Sequence, residues 1–356
     1  MFKIGYDLAS HETLKLKPDY KDAVRRYEAF WNGSMEDRPV VRITVPNPDC
    51  GAPFYESNYY AKINDDEDEL VQGLVGNAGR TLYFGEALPE VNLSFGCEEI
   101  AVYCGGALRF HENDRDTNWA QPFVMDWEDV FPIRINEGHP MWLRKLSLAE
   151  KCAKAMDGVM LFSPIDLLTN MDLLQGMRGS EGLCKDLLDR PETIDRALAY
   201  VMEIVGFIYD KLFMPYGLPS ASGFDHLQCD FSYMIGGPMF RRFVLPYLER
   251  EAEYFNNRVL YHWDGPGALT HTEDLLASKY LYLLGYVPGA GKGTHKDYID
   301  LYRKVQARGK AVCVWGDPDE MKLIHRELSP EKTIYSTQTE TAREAEELLK
   351  WFAANT

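Results

Sequence analysis

The run VLYHWDGPG at residues 259–267 places His262 and Asp264 two residues apart, just ahead of Gly265, Pro266 and Gly267. In a β-strand, side chains two apart share a face, so the imidazole and the carboxyl project together while Trp263 points the other way. Such a pair can work as a hydrogen-bonded acid–base couple, or ligate a hard or borderline metal ion. It can equally be a structural hydrogen bond that orients a loop, because buried polar groups need partners in any case. The glycines that follow let the chain turn tightly beside a ligand.

A second dense patch lies in GFDHLQCDFSYMI, where Asp225, His226, Gln228, Cys229 and Asp230 fall within six residues. Asp225 is a candidate catalytic carboxylate. His226, Gln228 and Asp230 are candidates for holding polar substrate groups, and Cys229 is a third metal donor beside His262 and Asp264. The alternative is a polar loop with an incidental buried cysteine. The segment GYVPGAGKGTHKDY has the wrong glycine spacing for a phosphate loop and Gly293 where Ser or Thr should follow Lys292. It reads instead as a strand-to-helix loop in which Gly289 and Gly291 let backbone amides approach a ligand. Trp315 shares a strand face with Cys313 in AVCVW and is a candidate lining residue. The charged stretch RFHENDRDTNW reads as a solvated loop anchored by Trp119.

These residues need a scaffold, and the chain supplies about eight apolar, β-rich segments: 38–46, one or two within 80–96, 158–170, 218–235, 258–265, 280–289, 310–318 and 332–339. Amphipathic helical segments lie between them. Residues 187–213 carry Pro191 at a first turn, 237–257 carry Pro246 at an expected kink, 295–309 end at Gly309, and 341–354 close the chain. Regular alternation of strand and helix predicts parallel strands, and their number favours a (β/α)8 TIM barrel over an open sheet. No linker or repeat divides the chain, so the expectation is one α/β domain: an N-terminal helical extension over 1–37 and a barrel over 38–356.

With 55 acidic against 38 basic residues the net charge is −17, which disfavours nucleic-acid binding. No stretch is apolar for long enough to span a membrane, and the N-terminus lacks the apolar core of a signal peptide. The seven scattered cysteines form no C-x-x-C pair and read as reduced thiols, so a cytoplasmic location is expected.

Several segments together resemble the uroporphyrinogen decarboxylase superfamily: LQCDFSYMIGGPMFRRFVLPYLERE, YHWDGPGALTHTEDLL, GYVPGAG, and DLLTNMDLLQGMRGSEGLCKDLLDRPETIDRAL. The likeness runs over residues 85 to 352. It implies a (β/α)8 barrel with its cleft at the C-terminal ends of the strands. The decarboxylases of that superfamily carry an arginine signature that holds the substrate's carboxylates. Here Arg25, Arg26, Arg38 and Arg42 stand in another arrangement. The methyltransferases of the corrinoid-linked branch place His-x-Cys as zinc ligands where this chain has His262 and Asp264. Their last-strand cysteine is replaced by Ser336-Thr337-Gln338-Thr339. The resemblance therefore implies a divergent member near the methyltransferase branch, moving a methyl group between a small substrate or a corrinoid protein and an acceptor, with zinc as the candidate metal. A cofactor-free carboxy-lyase acting on a porphyrinogen-like substrate is the alternative.

Overall fold

Strands buried on both faces read as continuous apolar runs, and each of the runs marked in the sequence forms one. The computed structural model describes residues 12–216 and 225–356. Among them are eleven strands: β1 (Val40–Pro46), β2 (Thr81–Gly85), β3 (Glu90–Asn92), β4 (Ala107–His111), β5 (Asp114–Gln121), β6 (Leu161–Ser163), β7 (Asp225–Gln228), β8 (Val259–Asp264), β9 (Leu283–Val287), β10 (Ala311–Trp315) and β11 (Thr333–Gln338).

Seven of them make one sheet in the order β2-β1-β11-β10-β9-β8-β7. Every neighbour pair is parallel except β2 with β1. A separate parallel pair joins β3 to β6. Thus β1, β3 and β6 through β11 are the eight parallel strands, in the regular alternation with helices that the sequence predicts. The ladders among the described residues do not close into one ring, however. The antiparallel β2 occupies the edge of β1 that β3 would need, and β6 makes no ladder with β7. What stands is a mixed α/β domain with a parallel sheet.

Helix ends follow their sequence signals. Pro191 opens the helix Pro191–Ile208 in its first turn, where a missing N–H costs nothing. The expected kink at Pro246 is a full break at Val244, between the helices Gly237–Phe243 and Leu245–Tyr254. Gly309 takes a φ of 77° after the helix Ile299–Ala307. The charged stretch read as a loop is instead the antiparallel hairpin β4–β5. Its strands alternate across a mostly solvated surface, so charge hid the two-residue period. Trp119 does not anchor it: that side chain is 36% exposed, while Trp127, Trp142 and Trp263 are buried.

Strand parity divides the core in two. On β8, Val259, Tyr261 and Trp263 pack against the helices in the larger cluster, and Leu260 points the other way. The smaller cluster gathers Val40, Leu161, Leu260, Leu283, Ala311, Cys313 and Ile334 from the inner strand face. Tyr20, Ala23, Val24, Tyr27 and Phe30 of the helix Tyr20–Trp31 cover it. The N-terminal helix is thus part of the floor beneath the strands. Phe30→Ala is expected to destabilise the protein by about 3–5 kcal/mol, while Phe54→Ala, on an exposed ring, should stay within about 0.5 kcal/mol. Urea unfolding of both variants measures this. A small effect of the first would show that the helix is not integral.

Candidate functional site at the strand ends

Two residues beyond the apolar floor, the same inner face turns polar. It carries Arg42 on β1, Glu90 on β3, Ser163 on β6, His226 and Gln228 on β7, His262 and Asp264 on β8, Trp315 on β10 and Ser336 on β11. Gln228 lies in register with His262, and His262 with Gly285 of β9. Gly285 leaves one flank of the imidazole without a side chain. His262 is half-buried and Asp264 exposed.

His226 opens to solvent in a recess enclosed by protein. Its imidazole is pushed down to about 4, first by desolvation and then by the charges of His262 and Arg42. It is neutral at physiological pH. Asp230 is raised, mainly by burial; nearby Asp264 adds to the rise and His262 opposes it. His226, His262, Asp230, Asp264 and Arg42 therefore act on one another. Arg42 is fixed by donation from Nε to Ser336 Oγ at 2.7 Å and from its terminal nitrogen to Cys313 Sγ at 3.1 Å.

The end of β7 is held from behind. Asn170 donates to the Gln228 carbonyl at 3.1 Å, and Asp172 accepts from the backbone N–H groups of Asp230 and Phe231 at 2.9 and 2.8 Å. Burial and the charge of Asp230 raise Asp172 to about 7.

Residues that local sequence density did not reveal complete the strand ends. Asp166, three residues past β6, is raised to about 6 by burial and by Glu99. Cys97 follows β3, and burial, Asp166 and Asp230 push its thiol up to about 11. Lys62, on the helix Tyr59–Asn64, is lowered to about 8 by burial and by Lys145. An acidic residue a turn beyond a marked strand end, SPID, was the available signal for Asp166.

The remaining sequence candidates are placed as follows. Asp225 opens β7, and its side chain lies outside the described ones. Gly289 and Gly291 follow β9 with φ of 85° and 70°, the conformation that favours glycine. Trp315 lines a cavity of about 1130 Å³ at the ends of β1, β10 and β11, together with Arg42, Glu90, Ser336 and Gln338. His262 and Asp264 are not among its lining residues. His295 braces Trp315 edge-on, with ring centroids 4.2 Å apart.

Cys229 does not join His262 and Asp264 as a metal donor. It is 3% exposed in the cluster that packs against the helices, and burial holds its thiol well above the ordinary range. Among the described residues no three His, Cys, Asp or Glu side chains converge as a metal-binding group. The zinc set expected from sequence does not fit this arrangement.

No protein-family profile matches the sequence, and no curated protein matches it. Among solved structures, the chain is similar to a methyltransferase from Methanosarcina mazei, with a TM-score of 0.59 at 14% identity. The match covers 93% of this chain and 98% of that one, so the likeness is of the whole fold. No helix among the described residues is long and apolar enough to cross a membrane.

His295 offers a test of the packing behind Trp315. It is 3% exposed, bonded through Nδ1 to the Tyr302 hydroxyl at 2.5 Å, and lowered to about 4 by burial. An unfolded chain protonates its imidazole near about 6.5, so below that pH the unfolded state binds more protons. This contribution to stability is complete above about pH 6.5 and is lost as pH falls toward 4, by about 2–3 kcal/mol. Urea midpoints between pH 7 and 4.5 should fall less steeply in His295→Gln than in the wild type. Equal slopes would reject the assignment.

Proposed function

We propose that the chain is a methyltransferase of the uroporphyrinogen decarboxylase superfamily, built on a (β/α)8 barrel that works at the C-terminal ends of its strands. The methyl group moves between a small methylated substrate, or a corrinoid carried by a partner protein, and an acceptor bound beside His262 and Asp264. The fold likeness to a methyltransferase supports this reading.

The observation that carries it is where the arginines go. Arg25 pairs with Glu36 at 2.6 Å, Arg26 with Asp37 at 2.8 Å, and Arg38 with Glu86 at 2.5 Å. Of the four arginines in the N-terminal stretch, only Arg42 joins the inner face, already bonded to Ser336 and Cys313. A polycarboxylated substrate needs several convergent cations to offset its desolvation. Arg42 and Lys62, set among Glu90, Asp166, Asp230 and Asp264, do not supply a cluster of cations for many carboxylates, and that favours methyl transfer over the carboxy-lyase alternative. In this role His262 and Asp264 exchange a proton with the heteroatom that gains or loses the methyl group, and Gln228 and Asp230 hold polar groups of the bound molecule.

Transfer from methylcobalamin to a small thiol, followed by the cobalamin absorbance, tests the activity. His262→Ala and Asp264→Ala are each expected to lower turnover by about 100-fold or more, with stability kept within about 2 kcal/mol. Wild-type turnover with both variants fully active would remove the pair from the chemistry. Release of carbon dioxide from a carboxylated tetrapyrrole, with no methyl transfer, would overturn the proposal.

A further inference from the structure

Trp315 is a part of the strand-end wall that the proposed chemistry leaves unused. It ends β10 after four buried residues, is 38% exposed, and lines the cavity of about 1130 Å³. The indole is braced by His295, which is 3% exposed, meets it edge-on with centroids 4.2 Å apart, and is bonded to the Tyr302 hydroxyl. Burial lowers that imidazole to about 4, so it adds no charge beside the ring. The result is a fixed aromatic face on the wall of a cavity large enough for an organic ligand.

The wall around Trp315 is acidic. Glu90, Asp317, Glu340, Glu344 and Glu347 line the same cavity, against Arg42 and Lys322. Both cations have acids of their own: the charge of Glu90 acts on Arg42, and Lys322 pairs with Asp319 at 3.2 Å. Arg343 pairs with Glu347 at 2.8 Å. Among the described residues no basic side chain pairs with Asp317, Glu340 or Glu344. The acids are spread around the wall and do not meet at a point. Among the described residues no three carboxylate, imidazole or thiol groups converge as ligands for a metal ion.

We propose that this cavity binds a small organic molecule through a quaternary ammonium group, seated on Trp315 and balanced by the surrounding carboxylates. An anion would add to the negative field. A primary ammonium is strongly hydrated and brings three N–H donors, so it needs acceptors that converge on it. A quaternary ammonium has no such donors, and a π face within a spread negative field suffices for it. Trp351, the second indole of the wall, already has the Arg326 guanidinium 5.8 Å from its centroid. Among the described residues no cationic side chain stands over Trp315. Because His262 and Asp264 do not line this cavity, the site is separate from theirs and does not depend on methyl transfer.

The probe is choline, titrated calorimetrically into the full chain. It is compared with dimethylbutanol, its uncharged isostere with carbon in place of nitrogen, and with ethanolamine, the primary ammonium of the same backbone. Choline should bind at least about tenfold more tightly than either. Trp315→Leu should weaken choline about tenfold, and Trp315→Phe should recover part of that loss. The double variant Glu340→Gln, Glu344→Gln should weaken it about threefold at low salt and leave dimethylbutanol unaffected.

The comparison of the three probes needs no variant, so a folding failure cannot shelter the site. Dimethylbutanol or ethanolamine binding as tightly as choline overturns it, as does no binding of choline at all. Unchanged choline binding in Trp315→Leu also overturns it. His262→Ala should bind choline as the wild type does. Loss of choline binding in that variant would move the ligand to the other site and reject this one, whatever the outcome for methyl transfer.

Discussion

The strand-borne groups that could do chemistry in this protein depend on side chains alternating along a strand. On β8 one parity supplies Tyr261 and Trp263 to the helix layer, and the other supplies Leu260, His262 and Asp264 to the inner face. A step of two residues is about 7 Å. Over that distance the inner face passes from an apolar floor, sealed by Tyr27 and Phe30, to the polar level of His262 and Arg42. The apolar floor lies on the side of the strand starts, and the polar groups lie on the side of the strand ends. A register slip of one residue would exchange Trp263 for His262 and bury an imidazole in oil.

Enclosure then decides the charge state of what is placed there. Desolvation disfavours whichever form is ionised. It leaves His226 neutral, holds Asp166 near 6 and Asp172 near 7, and keeps the Cys97 thiol protonated. Neutral imidazole is a proton acceptor, and a carboxyl near 6 or 7 can give or take a proton at physiological pH. Several groups at and behind the strand ends are thus poised for proton exchange. A neutral or internally balanced molecule suits such a cleft better than a polyanion.

The parallel strands were legible because burial on both faces writes itself as unbroken apolar runs, as in VLYHW and AVCVW. The hairpin of β4 and β5 was not, since its strands are largely solvated and their charges mask the alternation. Parity also made the His262–Asp264 pair legible and corrected Cys229, which sits one residue out of phase with Gln228 and so enters the core. Lys62, on a short helix, and Cys97 and Asp166, on loops, come from segments more than 30 residues apart in pairs that no local pattern connects. Only the fold brings them together, which is why a reading of short motifs found the strand-borne half of the site and not the loop-borne half.

The two halves also differ in how firmly they are held. Asn170 has a φ of 42°, a left-handed conformation that carries about 1 kcal/mol or more of strain for a residue with a Cβ. That strain is offset because the Asn170 amide then reaches both the Gln228 carbonyl and the Met171 N–H. Asp172, two residues on, grips the two N–H groups that follow Cys229. Behind them Thr169 donates to Glu251 at 2.6 Å, so the network continues into the helix Leu245–Tyr254. Gln228 and Asp230 are thereby set in place before any ligand arrives. Lys62 rides on a six-residue helix whose tie to the rest of the cleft runs through Arg144 and Asp116. The strand-borne groups are thus held by a continuous hydrogen-bonded network, and a scaffold fixed in this way can carry different chemistry by changing its loops.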